Sequence, residues 1–205
     1  MKHIILLFSF LIIQFLTTKS FGQDHNVVQL RFGVQNHVPH GLPASLKKLY
    51  ASSSNQFDLI LNRRFVINEK YTLNGGLGFT IFRFADSNLF FDGTTNQSNY
   101  GVVKYGIGRS IYKDKLSINV DIFHYILTHA EKQDDGQRRV FTNLELGATY
   151  NINDRFSISL SSPLTLNSIF SVRAATGDFF KNETLRSYYS DVRNYGVHLG
   201  AGYKF

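Results

Sequence analysis

In this 205-residue sequence, reactive chemistry would have to come from two kinds of side chain. One is histidine near a hydroxyl or a second histidine. The other is charge set singly between apolar residues. An imidazole beside a hydroxyl can activate it for attack on an ester. The candidates are His124, within Ile122-Phe123-His124-Tyr125-Ile126, and His40 taken with the distant Asp86-Ser87. His37 and His40 stand three apart in a stretch with Pro39 and Pro43, and no third ligand is near. A zinc site needs at least three protein ligands. The chain has no cysteine, which removes thiol nucleophiles, disulfides and thiolate-bound metals together. It carries neither a GxGxxG turn nor a P-loop lysine. The expectation is a non-catalytic protein with no metal and no cofactor.

The charged candidates are Arg31, Asp58, Arg64, Lys104, Asp121, Glu145 and His198. Each falls on the polar face of a segment that alternates apolar and polar residues, the signature of a strand with two unlike faces. The last segment is the clearest. Tyr195, Val197, Leu199, Ala201, Tyr203 and Phe205 share one face, and His198, Lys204 and three glycines sit on the other. Aromatics at both ends of an apolar face, opposite a small polar one, suit a strand that crosses a bilayer. Seven more segments repeat the alternation, beginning at Val28, Phe57, Tyr71, Val103, Leu116, Leu144 and Phe156. That makes eight strands. Arg63 and Arg109 fall on the apolar parity near short turns, where long side chains reach the interface. Pro163 marks a bulge or the point where its strand leaves the bilayer.

The connections alternate in length. Asn68-Glu69-Lys70, Lys113-Asp114-Lys115 and Asn151-Ile152-Asn153-Asp154 are short. Asn36 to Gln56, Phe84 to Asn99, Thr128 to Arg139 and Ser168 to Arg193 are long. Short turns at one end and long loops at the other describe an up-and-down barrel in an outer membrane. A soluble barrel with its apolar face inside is the competing reading, because alternation alone does not say which face is interior. The glycine-rich, charge-bearing face suits a cramped interior. Eight strands leave room only for their own side chains, so those charges are expected to be paired.

Before the first strand, Met1-Lys2-His3 precedes the apolar run Ile4 to Leu16, and Ser20 and Gly22 suit cleavage ahead of Gln23. Residues 1–22 are therefore expected to be a signal peptide and residues 23–205 the barrel domain. Loss of Lys2 and Lys19 would lower the formal charge from +7 to +5. The remaining bases are dispersed, and export argues against nucleic acid as a partner. Beyond Gln23 no apolar run is long enough for a membrane helix.

With its terminal Tyr203-Lys204-Phe205, this pattern resembles the small OmpA/OmpX-like outer-membrane β-barrel proteins of Gram-negative bacteria, of the Bacteroidetes type, over residues 27–205. The resemblance implies a bacterial outer-membrane location, contact with membrane lipid and lipopolysaccharide, and delivery by the barrel assembly machinery. It also implies an assembly signal at Tyr195, Val197, Leu199, Tyr203 and Phe205. The role expected from it is structural or adhesive. The alternatives are a lipid-A-modifying enzyme or a narrow solute channel. Lipid A deacylases of similar scaffold use a His-x-Ser pair, but Ile126 stands where the serine would follow His124, and that segment lies two strands from the family's position. Lipid A palmitoyltransferases use a loop histidine and an Asp-Ser pair. His40 and Asp86-Ser87 occupy comparable regions here, without that family's leading amphipathic helix. For a surface ligand, the loops offer Lys47-Lys48 with Leu46, Leu49 and Tyr50, then Phe179-Phe180-Lys181, Arg186, Tyr188-Tyr189 and Arg193.

Overall fold

The structure is a computed structural model that describes residues 25–40, 44, 52–68, 70–85, 96–112, 115–130, 139–167, 170–176 and 186–205. The strands are β1 (His25–Pro39), β2 (Ser52–Val66), β3 (Tyr71–Ala85), β4 (Asn96–Tyr112) and β5 (Leu116–Ala130). They continue as β6 (Val140–Asn151), β7 (Phe156–Thr165), β8 (Phe170–Thr176) and β9 (Arg186–Lys204). Each pairs antiparallel with its neighbour, and β9 pairs back onto β1, so the sheet closes. β7 and β8 run in file along β9 and form one stave, which gives an eight-stranded, all-β, antiparallel barrel. Among the described residues no helix is long and apolar enough to cross a membrane.

Within β7 the ladder to β9 has one local gap. Pro163 has no amide hydrogen to give the ladder, and the pairing of β7 with β9 lapses at Ser162 and Pro163. It resumes at Leu164 opposite Tyr195, and β8 then starts with Phe170 opposite Val192.

Closure fixes the geometry. Cross-strand partners followed once around run Asn26, Arg63, Gly75, Tyr105, Ile122, Leu144, Leu164, Tyr195 and Asn36. The circuit returns to β1 ten residues above its start, 36 against 26. With strands tilted by about 40°, that stagger corresponds to a climb of about 25 Å. On β1 the outward residues within this climb are Val28, Leu30, Phe32 and Val34, and Asn26 and Asn36 bracket them. The other staves repeat the band, with Leu59, Leu73, Phe79, Ile107, Ile118, Leu146, Ile158, Leu160 and Leu199 all exposed. Tyr71, Tyr150, Phe156 and Tyr203 ring the lower edge. Arg63 and Arg109 stand there too, with guanidinium carbons 5.3 Å from the Phe65 ring and 5.7 Å from the Tyr71 ring. Above the band the outward residues turn polar at Asn36, Asn55, Arg83, Asn99, Thr128 and Arg193.

The strands extend well past the segments that alternate most clearly. Asn36–Pro39, Ser52–Gln56, Phe84–Ala85, Asn96–Asn99 and Thr128–Ala130 are strand, although the spacing of polar residues predicts loop there. Within the predicted loop from Ser168 to Arg193, β8 and the upper half of β9 form a hairpin. The ladder hydrogen bonds do not stop where the apolar band stops, so the wall rises above it. The 1–22 segment, Lys47-Lys48, Asp86-Ser87 and Phe179-Phe180-Lys181 lie outside the described residues.

Closure also demands close approach between staves. A Cβ placed on Gly106 would lie 2.4 Å from the Val120 carbonyl oxygen and 2.7 Å from the Asp121 Cα. Both are backbone atoms of the paired strand and cannot turn aside. Gly106→Val is expected to destabilise the barrel by about 1–3 kcal/mol, the usual range for overpacking. A lowered midpoint for loss of the compact form on unboiled gels would show it.

Candidate functional site

Apolar side chains turn outward around the whole circumference, so the interior receives the other parity. Six of the seven charged candidates, Arg31, Asp58, Lys104, Asp121, Glu145 and His198, are buried inside the barrel. Arg64 is half-buried and lines an interior cavity. Desolvated charges persist only when paired and hydrogen-bonded.

Arg31 supplies most of the pairing. Its Nε and Nη2 donate to Asp58 Oδ2 at 2.8 and 2.5 Å, and its Nη1 donates to Glu145 Oε2 at 2.6 Å. One planar guanidinium thereby joins β1, β2 and β6 across the lumen, which a lysine's point charge could not do. The second oxygen of Asp58 accepts from Gln56 Nε2 at 2.7 Å and from the Thr80 hydroxyl. Glu145 accepts from Ser161 at 3.0 Å and from the Tyr125 hydroxyl at 3.4 Å, and His198 Nδ1 stands 3.4 Å from it. Gln35 then ties His198 to Gln56. Below, Lys104 pairs with Asp121 at 3.0 Å. The Phe123 ring lies between the two cations, 4.3 Å from Arg31 and 5.3 Å from Lys104. Two cations, Arg31 and Lys104, therefore face three carboxylates, Asp58, Glu145 and Asp121.

Above this layer the lumen is filled by Phe82, Phe84, Tyr100, Tyr125 and Phe141, all buried, together with Val102 and Val192. Tyr125 and Phe141 stack at 4.5 Å, and Tyr100 and Phe82 meet edge to face at 5.4 Å. The sequence reading passed over this plug, although its residues share parity with Thr80, Lys104 and Glu145. Below the charges lies a cavity of about 50 Å³ lined by Gln29, Asn74, Asn119, Ser159 and others. Arg64 lines both this cavity and a vestibule of about 820 Å³ at the short-turn end.

The histidines separate by face. His37 is buried inside, with Nδ1 2.8 Å from Asn194 Oδ1 and Nε2 2.7 Å from Ser54 Oγ. His40 is exposed and bonds the Tyr195 hydroxyl at 3.0 Å. The two do not converge, and among the described residues no group of three or more histidines and carboxylates could hold a metal. His124 stands on the outer wall, where its Nδ1 is 2.9 Å from Thr142 Oγ1 and its Nε2 2.9 Å from the Tyr105 hydroxyl. The hydroxyl beside this imidazole thus comes from a neighbouring strand. Tyr195, Val197, Leu199, Tyr203 and Phe205 are exposed along the outward face of β9 and the residue that follows it.

No protein-family model matches the chain, and no curated protein matches it. Among solved structures, the attachment invasion locus protein Ail of Yersinia pestis, in complex with the heparin analogue sucrose octasulfate, is similar. It shares 16% identity over 90% of this chain and 100% of that chain, with a TM-score of 0.46. The outer-membrane protein AlkL, solved in lipid bilayers, shares 14% identity over 92% and 94%, with a TM-score of 0.49. The outer-membrane protease OmpT from Escherichia coli shares 11% over 92% and 99%, with a TM-score of 0.38. The barrel itself is established by the pairing of its own strands.

The shared guanidinium makes one substitution diagnostic. Arg31→Met would leave Asp58 and Glu145 buried without their cation, and a loss of about 3–5 kcal/mol is expected. Adding Asp58→Asn and Glu145→Gln to Arg31→Met should recover most of it. Urea unfolding in detergent micelles, followed by tyrosine fluorescence, measures both.

Proposed function

We propose that this chain is an integral protein of a bacterial outer membrane with a structural or surface-interaction role and no catalytic activity of its own. The observation that carries this reading is the outward apolar band. Leu30, Phe32, Phe79, Leu146, Leu160 and Leu199 are each about half exposed or more (47 to 62%), on every side of a closed barrel. In water such a surface would aggregate. In hydrocarbon it is the required one, and its estimated height of about 25 Å suits the apolar belt of an outer-membrane barrel. The short turns would face the periplasm and the long connections the exterior. Lipid and lipopolysaccharide are then the immediate partners, the barrel assembly machinery inserts the chain, and the loops carry any surface ligand.

A solute path is the weaker alternative, because the aromatic layer and the Arg31 network fill the lumen above the vestibule. Catalysis has less support still. The Asp86-Ser87 pair lies outside the described residues, and among the described residues both ring nitrogens of His124 meet hydroxyls rather than a carboxylate.

Expression in a Gram-negative host followed by membrane fractionation tests the proposal. The protein should be found in the outer-membrane fraction and should migrate faster unboiled than boiled. Recovery as a soluble periplasmic protein would overturn it. Single-channel recordings in planar bilayers should show no steady conductance.

A further inference from the structure

The Arg31 network and the aromatic plug fill the upper lumen, so the vestibule of about 820 Å³ at the short-turn end is blind above. Among the described residues its lining holds Arg64, Lys70, Lys115 and Lys204 against a single carboxylate, Asp154. Lys70 and Lys115 each follow an acid of their own turn, Glu69 and Asp114. The charge that sets the character of the vestibule therefore lies farther in, at Arg64 and Lys204.

Arg64 differs from the cations above it. Arg31 is held by Asp58 and Glu145, and Lys104 by Asp121 at 3.0 Å. Among the described residues no hydrogen bond or ion pair reaches the Arg64 guanidinium, although the residue is half-buried and lines both the vestibule and the cavity above it. A cation withdrawn that far from water is costly to leave unmatched. Thr72 lines the same vestibule, and its hydroxyl also has no partner among the described residues. The strand register brings a second base near. Val27 of β1 pairs with Asn62 on one side and with Lys204 on the other. Arg64 is the next inward residue after Asn62, so its Cα and that of Lys204 are about 12 Å apart by strand spacing and rise. Two long side chains at that separation leave room between their heads for one tetrahedral anion.

The chemistry narrows the guest. A guanidinium gives two parallel N–H bonds to a carboxylate or a phosphate, and an ammonium adds a point charge from another direction. A carboxylate has one charge and two oxygens in one plane, which the guanidinium alone would use. A phosphate has further oxygens and a second charge for Lys204 and Thr72. We infer that the vestibule is a binding site for a small, free inorganic phosphate anion, seated between Arg64 and Lys204 with the Thr72 hydroxyl as a further donor. A condensed phosphate reaches from that seat toward Lys70 and Lys115 at the mouth, so pyrophosphate should bind more tightly than orthophosphate. The site needs only the closed barrel and does not depend on where the barrel resides.

Calorimetric titration of the full barrel in uncharged detergent tests this, at physiological ionic strength, where exposed charges are largely screened. The probes are pyrophosphate, orthophosphate and citrate, the last carrying comparable charge on carboxylates alone. One saturable site per barrel is expected, tightest for pyrophosphate and at least tenfold weaker for citrate. Arg64→Gln should weaken pyrophosphate about tenfold, the scale of a lost charge-assisted hydrogen bond. Arg64→Lys, which keeps the charge without the fork, and Lys204→Gln should each weaken it several-fold. Arg109→Gln removes the same charge from the outer wall at the same end and should change nothing. Absence of saturable binding would overturn the inference, as would citrate binding as tightly as pyrophosphate. Equal weakening by Arg109→Gln and Arg64→Gln would reduce the site to diffuse charge and overturn it too. Each variant is first checked for faster unboiled migration, and if Arg64→Gln does not fold, the three anions on the unaltered barrel still decide the matter. A barrel that fractionates to the outer membrane yet binds no pyrophosphate refutes the site alone. A soluble protein that binds it refutes the membrane reading and not the site.

Discussion

Closure of the β-sheet is the constraint from which the other features follow. On the proposed outer-membrane reading, a backbone that crosses hydrocarbon has no solvent for its amide and carbonyl groups, so every strand must find partners on both sides. Here β9 returning to β1 provides the last pairing, and the ten-residue stagger of that return sets how far the staves tilt. Tilt and strand number together fix the width of the lumen. In a lumen that narrow, inward side chains from opposite walls must touch. Arg31 on β1 can thus reach Glu145 on β6, while the Gly106 backbone lies against Val120 and Asp121 of its paired neighbour β5.

The interior is layered by chemistry. Carboxylates from β2 and β6 converge on one guanidinium, and amides and hydroxyls take up their remaining lone pairs. An aromatic plug closes the end away from the short turns. These layers depend on one another, because Phe123 packs against the cations and Tyr125 belongs to both the plug and the hydrogen-bond network around Glu145. Buried ion pairs contribute little net stability compared with apolar packing of equal volume. Their more certain effect is on register. A slip of one residue would turn Arg31 to the outer face and Phe32 to the lumen, leaving two carboxylates without a cation.

The outer wall is plainer, and its few departures from apolar character are informative for that reason. Arg63 and Arg109 sit beside aromatic rings at the lower edge, Arg63 buried and Arg109 exposed. The hydrogen-bonded Tyr105, His124 and Thr142 lie inside the band instead. His124 could be singled out in the sequence as an imidazole of outward parity. Its hydroxyl partners could not, being 19 residues before it and 18 after it.

Much of the architecture was legible in the residues themselves. Period-two alternation assigned Arg31, Asp58, Lys104, Asp121 and Glu145 to one face and their apolar neighbours to the other, because side-chain direction in a strand is a local property of the backbone. Alternating short and long connections gave the order of the staves for the same reason. Strand ends were not legible. Above the band both faces carry polar residues, as in Asn36-His37-Val38-Pro39, and the alternation fades while the ladder continues. Alternation was also silent on which face is the interior, and on which charges meet. Arg31 finds Asp58 27 residues away and Glu145 114 residues away. Those meetings were decided by closure and stagger, which are properties of the whole circuit of strands and are written in no single segment.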